Sequence, residues 1–110
     1  MFTSPSNLKL ILTSFADEKT AVDVIRCLVK EHLAACGTLI PNALSIYSWQ
    51  EKIEETKEVV VLIKTPQSLA ERCMKRLAEL HPYEVPEIIT MEPSSVGTSY
   101  LDWVVKTCLV

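Results

Sequence analysis

Cysteine and histidine are the side chains of this sequence best suited to bind a soft or borderline metal ion. Cys36 and His81 are the strongest candidates, because copper and zinc prefer thiolate and imidazole donors. The many residues between them do not prevent contact in a folded chain. The alternative interpretation is structural, with Cys36 as a small buried residue at a corner between helix and strand and His81 as the residue that ends its helix.

An imidazole, a phenol and two carboxylates lie close together in residues 81–87, a segment that two prolines hold stiff. Glu84 and Glu87 offer oxygen ligands to a divalent cation, but a further donor from another subunit is needed. The alternative is an entry turn whose prolines steer the next strand and protect a sheet edge. The sequence therefore predicts Cys36, His81, Glu84 and Glu87 as candidate metal ligands.

Aromatic residues and one lysine form a second set of candidates. Tyr47 and Trp49 are two residues apart on a predicted strand and share a face, where they stack on a ligand or pack between subunits. Lys64 ends an apolar strand just before a helix, which places it to contact an anion, although a solvated lysine is the default. With Tyr83 and Trp103, these residues are predicted to line a ligand cleft or a subunit interface.

The pattern of residues does not indicate catalysis. The chain contains two glycines, and it has neither a glycine-rich phosphate loop nor a recognisable Ser-His-Asp order. Its four cysteines are widely spaced, with no Cys-x-x-Cys pair, so we expect reduced thiols rather than disulfides or a structural zinc site. We therefore predict a protein that is not an enzyme and requires no cofactor.

Length and charge narrow the class of protein further. A chain of 110 residues matches one domain, and its net charge of −3 supplies no general attraction to nucleic acid. The apolar runs are too short to span a bilayer, and the start of the sequence has no secretory pattern. We expect a cytoplasmic protein that neither binds nucleic acid nor inserts into a membrane.

The first half of the chain reads as a strand, a helix and a long hairpin. Alternating apolar residues begin a strand at Leu8, and Asp17 caps a helix of roughly 17 residues that ends near Gly37. Two strands then pair through a turn at residues 50–52. Pro41 lacks an amide donor and predicts a bulge or an edge in the first of them.

The second half predicts a helix that starts at Thr65-Pro66, a strand over residues 84–91 and a short closing helix capped by Ser99. The order is strand, helix, strand, strand, helix, strand and a C-terminal helix, which is the split βαβ arrangement of an α+β ferredoxin-like sandwich. Residues 1–7 are predicted as a flexible lead-in and residues 8–110 as the domain. Several strands are apolar on both sides, so we expect a partner subunit to cover one face of the sheet.

The sequence resembles the CutA family of divalent-cation tolerance proteins in four segments and at its C-terminal end. These are AACGTLIP at residues 34–41, SIYSWQEK at 45–52, LIKT at 62–65, HPYEVPE at 81–87 and the ending YLxW at 100–103.

The resemblance implies a homotrimer in which long hairpins extend sheets between subunits, similar in architecture to PII signalling proteins. It also implies a role in tolerance of divalent cations, copper above all. A regulatory or homeostatic module that binds an ion or small ligand in clefts between subunits is the first hypothesis. The second is a trimeric scaffold for an unknown protein partner, with incidental metal binding.

Overall fold

The computed structural model describes residues 1–109; Val110, the last residue of the predicted domain, lies outside the described residues. The elements are β1 (Phe2–Thr3), β2 (Leu8–Phe15), α1 (Glu18–Lys30), β3 (Cys36–Trp49), β4 (Lys52–Pro66), a 3₁₀ turn (Gln67–Leu69), α2 (Ala70–Leu80), β5 (Ile88–Met91), β6 (Val96–Gly97) and α3 (Thr98–Cys108).

A four-stranded antiparallel sheet in the order β3-β4-β2-β5 forms the centre of the molecule. Strands that follow each other through a helix are separated in the sheet, while the hairpin strands β3 and β4 lie side by side. This is the split βαβ order, and the predicted ferredoxin-like fold is confirmed.

Two hydrophobic cores lie on opposite faces of this sheet. Ile11 and Phe15 of β2 pack with α1 and α2 in the larger core, where Leu28 and Leu77 are fully buried. Leu8 has the opposite orientation on β2 and packs against α3 in the smaller core. The closing helix thus covers part of the face that the sequence predicts a partner subunit to cover.

Helix α1 begins as predicted and ends earlier than predicted. The Asp17 side chain accepts a hydrogen bond from the backbone N–H of Thr20 at 2.8 Å, which confirms the cap. The predicted end near Gly37 is wrong, because the helix stops at Lys30 and His32 takes a left-handed φ of 61°. By Ala35 the chain has joined the sheet through a hydrogen bond to the carbonyl of Lys64.

The hairpin of β3 and β4 forms where the sequence predicts it. Gln50 and Glu51 both have positive φ, 51° and 65°, which makes the tight turn that matches the twist of the strands. The register shifts between Ile40 and Ala43, so the predicted bulge at Pro41 is confirmed.

Three further boundaries differ from the predictions. The last strand begins at Ile88 rather than at residue 84, since Pro86 within the predicted strand lacks an amide donor for a ladder. Strand β4 runs through Pro66, so α2 begins only at Ala70, after the 3₁₀ turn. The predicted Ser99 cap is wrong, because α3 already starts at Thr98 and no side chain caps its N-terminus.

Strand β1 lies within residues 1–7, the segment predicted as a lead-in. It pairs with β6, and the Thr3 hydroxyl lies 2.7 Å from that of Thr98 at the start of α3. These contacts join the segment to the domain, while the boundary between residues 7 and 8 stays a prediction.

The close approach of α1 to β3 gives the first testable prediction. A Cβ on Gly37 would lie 2.7 Å from Cγ2 of the buried Ile25, so Gly37→Ala must displace the Ile25 side chain or the helix that carries it. We expect a loss of about 1–3 kcal/mol in the free energy of unfolding, measured by chemical denaturation. Gly97→Ala is the matched control, since nothing lies within 4 Å of a Cβ there. Equal stabilities of the two variants would contradict this account.

Candidate functional site

A groove of about 840 Å³ lies between the β3–β4 hairpin and the segment that follows α2. It brings together five of the residues that the sequence predicts, Tyr47, Trp49, Tyr83, Glu84 and Glu87. Ser14, Lys57 and Glu58 also line it.

The two faces of the hairpin differ in chemistry. Tyr47 lies opposite Glu54, and Trp49 opposite Lys52, so the rings share the face on which Glu58 lies. The opposite face of the hairpin carries Leu44, Ile46 and Ile53, whose side chains are largely exposed. The aromatic face of the ribbon therefore carries the two rings with Glu54, Glu58 and Lys52, and the aliphatic face carries the three aliphatic side chains with Glu55 and Lys57. Ile46 and Lys57 also line the groove.

His81 fixes the wall of this groove. It is the C-cap residue of α2, and its buried ring stacks on Phe15 with the ring centroids 4.4 Å apart. The backbone N–H of Tyr83 donates to Nδ1 at 3.2 Å, which leaves Nε2–H to donate to the Ser14 carbonyl at 2.8 Å. Both ring nitrogens of a neutral imidazole are thus used in hydrogen bonds. Burial lowers the pKa of His81 below its ordinary value.

Glu58 of β4 connects Tyr83 to Ser14 of β2 through hydrogen bonds. Its Oε2 accepts hydrogen bonds from the Tyr83 hydroxyl at 3.0 Å and from the Ser14 hydroxyl at 3.3 Å. Burial and the Glu58 carboxylate together raise the pKa of Tyr83 to about 12, so the phenol stays protonated and remains a donor.

The sequence analysis missed Ser14 and Glu58. Glu58 directly precedes the apolar run at residues 59–63, and a carboxylate at the start of a buried strand is a detectable signal. Ser14 carries no such signal, because its position is set by the pairing of β2 with β4.

Cys36, Lys64 and Trp103 lie at a different place. Cys36 is paired with Lys64 across β3 and β4, and its Sγ lies 3.6 Å from the Tyr100 hydroxyl. Trp103 stacks against Tyr100 with 5.8 Å between ring centroids, and the Lys64 ammonium donates to the Thr38 hydroxyl. These residues form a cluster beside α3, outside the groove.

The four predicted metal ligands do not meet within one chain. Through Lys64, Cys36 on β3 is level with Leu10 on β2, whereas His81 contacts Ser14, four residues further along β2. The offset along the strand alone is about 13 Å, and strand β4 also lies between β3 and β2. Among residues 1–109, no three His, Cys, Asp or Glu side chains form a group that could hold a metal ion. A metal at either nitrogen of His81 would replace a hydrogen bond.

All four cysteines are free thiols. Cys73 and Cys108 are buried in the two cores, and burial raises the pKa of Cys73 to about 12. Cys27 is half-buried and donates to Glu31 Oε2 at 3.0 Å, beside an ion pair of Glu31 with Arg76. Cys73 and Cys108 therefore serve as packing residues of the two cores.

Comparison with known proteins matches residues 9–107 to the family described as CutA1 divalent ion tolerance protein. The chain belongs to the CutA1 family. No helix among residues 1–109 combines the length and apolarity needed to cross a bilayer.

Relatives within the CutA1 family cover most of the chain. The divalent-cation tolerance protein CutA of Pyrococcus horikoshii is 40% identical over 97 residues, 88% of this chain and 94% of that protein. Protein CutA of Mus musculus is 39% identical over 91% of this chain, which spans only 56% of the mouse protein. The crystal structure of CutA from Xylella fastidiosa matches with a TM-score of 0.90 and 41% identity, covering 94% of this chain and 99% of that one.

The neutral state of His81 predicts acid sensitivity. Its folded-state pKa lies below the unfolded value of about 6.5, so the unfolded chain takes up the proton first. The stability that His81 contributes is complete above pH ~6.5 and is lost as the pH falls through the folded pKa. We expect the melting temperature to fall between pH 7 and pH 5, and to fall less in His81→Gln.

The control variant for this experiment is His32→Gln, because His32 is exposed. It should keep the pH dependence of the unmodified protein. A pH dependence that survives His81→Gln unchanged would assign the acid sensitivity to other groups.

Proposed function

We propose that this chain works as a cytoplasmic homotrimer that protects against divalent cations, copper above all. It binds an ion or a small ligand in grooves that neighbouring subunits complete. The family description supports the tolerance role, and it names no reaction. Accordingly we propose a binding or regulatory function rather than an enzymatic one, and the free thiols fit a reducing compartment.

The observation that carries the proposal is the aliphatic face of the hairpin. Leu44, Ile46 and Ile53 are 58%, 63% and 74% exposed on one side of a ribbon that extends past the helices. Clustered exposed apolar side chains of this kind mark a contact surface. The aromatic face on the other side of the same ribbon supplies most of the hairpin residues that line the groove, and Ile46 also lines it.

The sheet has a second uncovered apolar area beyond α3. Ile40, Ile89 and Met91 are exposed, and the register places Ile89 beside Leu12 on the face opposite α1 and α2. Ile40 lies on the edge strand β3, and the other two on the edge strand β5. Both edges therefore carry apolar side chains and unpaired backbone groups, which strand pairing or packing between subunits would cover.

A divalent ion would find oxygen donors in the groove at Glu84 and Glu87, with Glu58 nearby. Two or three carboxylates do not complete a coordination shell, so the neighbouring subunit would supply a further ligand. Cys36 lies too far away in its own chain to serve this ion and would join it only from another subunit. His81 would join only by giving up its bond to Ser14 or to Tyr83.

The first test of this proposal is the oligomeric state. We expect light scattering to give three times the 12.4 kDa chain mass at micromolar concentration. Leu44→Lys with Ile53→Lys, two residues outside the groove lining, should shift the mass towards 12.4 kDa, because burying an aliphatic side chain contributes about 1.5–3 kcal/mol. Glu71→Lys, on the exposed side of α2, is the control and should leave the mass unchanged. A monomeric unmodified protein would disprove the trimer.

The second test is calorimetric titration of copper(II) and zinc(II) into the metal-free protein. We expect saturation at one ion per subunit, weakened at least about tenfold when Glu84→Gln and Glu87→Gln remove the carboxylate charges. Cys36→Ser tests whether a neighbouring subunit contributes its thiol, and Glu71→Gln is the matched control. Metal uptake that does not saturate in an intact trimer would contradict specific ion binding. It would favour the alternative hypothesis of a trimeric scaffold for a protein partner.

A further inference from the structure

We propose that the small ligand of the groove is an organic ammonium, a positively charged amine on an apolar carbon skeleton. This inference rests on the proposed function only in taking the groove as the ligand site. It concerns the aromatic rings and the carboxylates that the hairpin and the segment after α2 bring together.

Three aromatic rings line the groove, and two of them are open to a ligand. Tyr47 and Trp49 are 41% and 54% exposed on the groove face of the hairpin. Tyr83 forms the wall, and its hydroxyl is already used by Glu58. The faces of electron-rich rings attract cations, and tryptophan attracts them most strongly.

The charge of the groove selects the sign of the ligand. The groove is lined by three carboxylates, those of Glu58, Glu84 and Glu87, and by one ammonium group, that of Lys57. The hydroxyls of Ser14 and Tyr83 both donate to Oε2 of Glu58, so neither hydroxyl engages Oε1. An anion would meet this negative surface unfavourably, and a neutral apolar ligand would leave it without a partner.

The size and composition of the groove favour an organic cation over a bare ion. A volume of about 840 Å³ is far larger than a metal ion needs and lies within the range of small-molecule sites. A bare ion gains its binding energy from oxygen or nitrogen donors within its coordination shell and makes no use of aromatic faces at a distance. An alkylammonium uses both features, because its carbons pack on the rings while its charge remains near the carboxylates.

Choline is the probe for this proposal, and 3,3-dimethylbutan-1-ol, its uncharged isostere, is the matched ligand. The binding of both ligands is measured by calorimetry on the metal-free protein in the presence of a chelator. Light scattering verifies the oligomer mass in the same sample. We expect saturable choline binding at one per chain and about tenfold weaker binding of the alcohol. Equal affinities would overturn the proposal, since the groove would then be selecting shape and apolar surface alone.

Variants locate the binding. Trp49→Leu keeps apolar bulk while removing the ring, and it should weaken choline about three- to tenfold. Glu87→Gln should weaken choline and leave the alcohol unchanged. Trp103→Leu removes a half-exposed ring outside the groove and should change neither ligand. Loss of binding in Trp103→Leu but not in Trp49→Leu would place the site elsewhere and overturn the proposal.

The two proposals fail separately. A trimer that saturates with copper but not with choline refutes the ammonium site and keeps the ion-binding function. A protein that binds choline in the groove without forming a trimer supports the ammonium site and refutes the proposed assembly.

Discussion

The structure depends on one constraint, that the antiparallel pairing of β3 and β4 continues past the end of the helical layer. Within the sheet, side chains of β4 such as Val61 and Ile63 are buried against α1 and α2. Past the bulge at Pro41, the same ladder keeps every second residue on each face, but no helix remains to cover either face. An isolated two-stranded ribbon is marginal in water, so its side chains must find partners outside the core.

The two faces meet this requirement in different ways. The aliphatic face exposes Leu44, Ile46 and Ile53, which is the kind of surface that the proposed subunit contact would bury. The opposite face combines rings and carboxylates, which can remain beside water and accept a charged ligand. A single ladder thus gives the ribbon one face with exposed aliphatic side chains and one face with rings and carboxylates.

His81 links the core to the groove. Its ring is packed on Phe15, so its position is fixed by the larger core, while its two nitrogens fix the Ser14 carbonyl and the backbone of Tyr83. Tyr83 then reaches Glu58 on the hairpin. The Tyr83 side of the groove is therefore positioned by the larger core, and protonation of His81 at Nδ1 would remove the acceptor that Tyr83 uses.

The sequence by itself determined the ferredoxin-like order, the hairpin with its bulge and the Asp17 cap, because each depends on alternation or on a residue's own backbone chemistry. It also predicted Tyr47, Trp49, Tyr83, Glu84 and Glu87 as candidates, and these five residues line one groove in the structure. Gly37 illustrates where this reasoning fails. It was predicted to end helix α1, but it lies in β3, where the absence of a side chain leaves room for Ile25.

Only the tertiary structure decided that Cys36 and His81 lie at different points along the sheet, and that Ser14 and Glu58 join the groove. Strand register and the packing of α2 set these positions, and both arise from contacts between residues far apart in sequence. Side-chain chemistry can be read from one residue at a time, whereas a site requires distances between residues that the fold alone establishes.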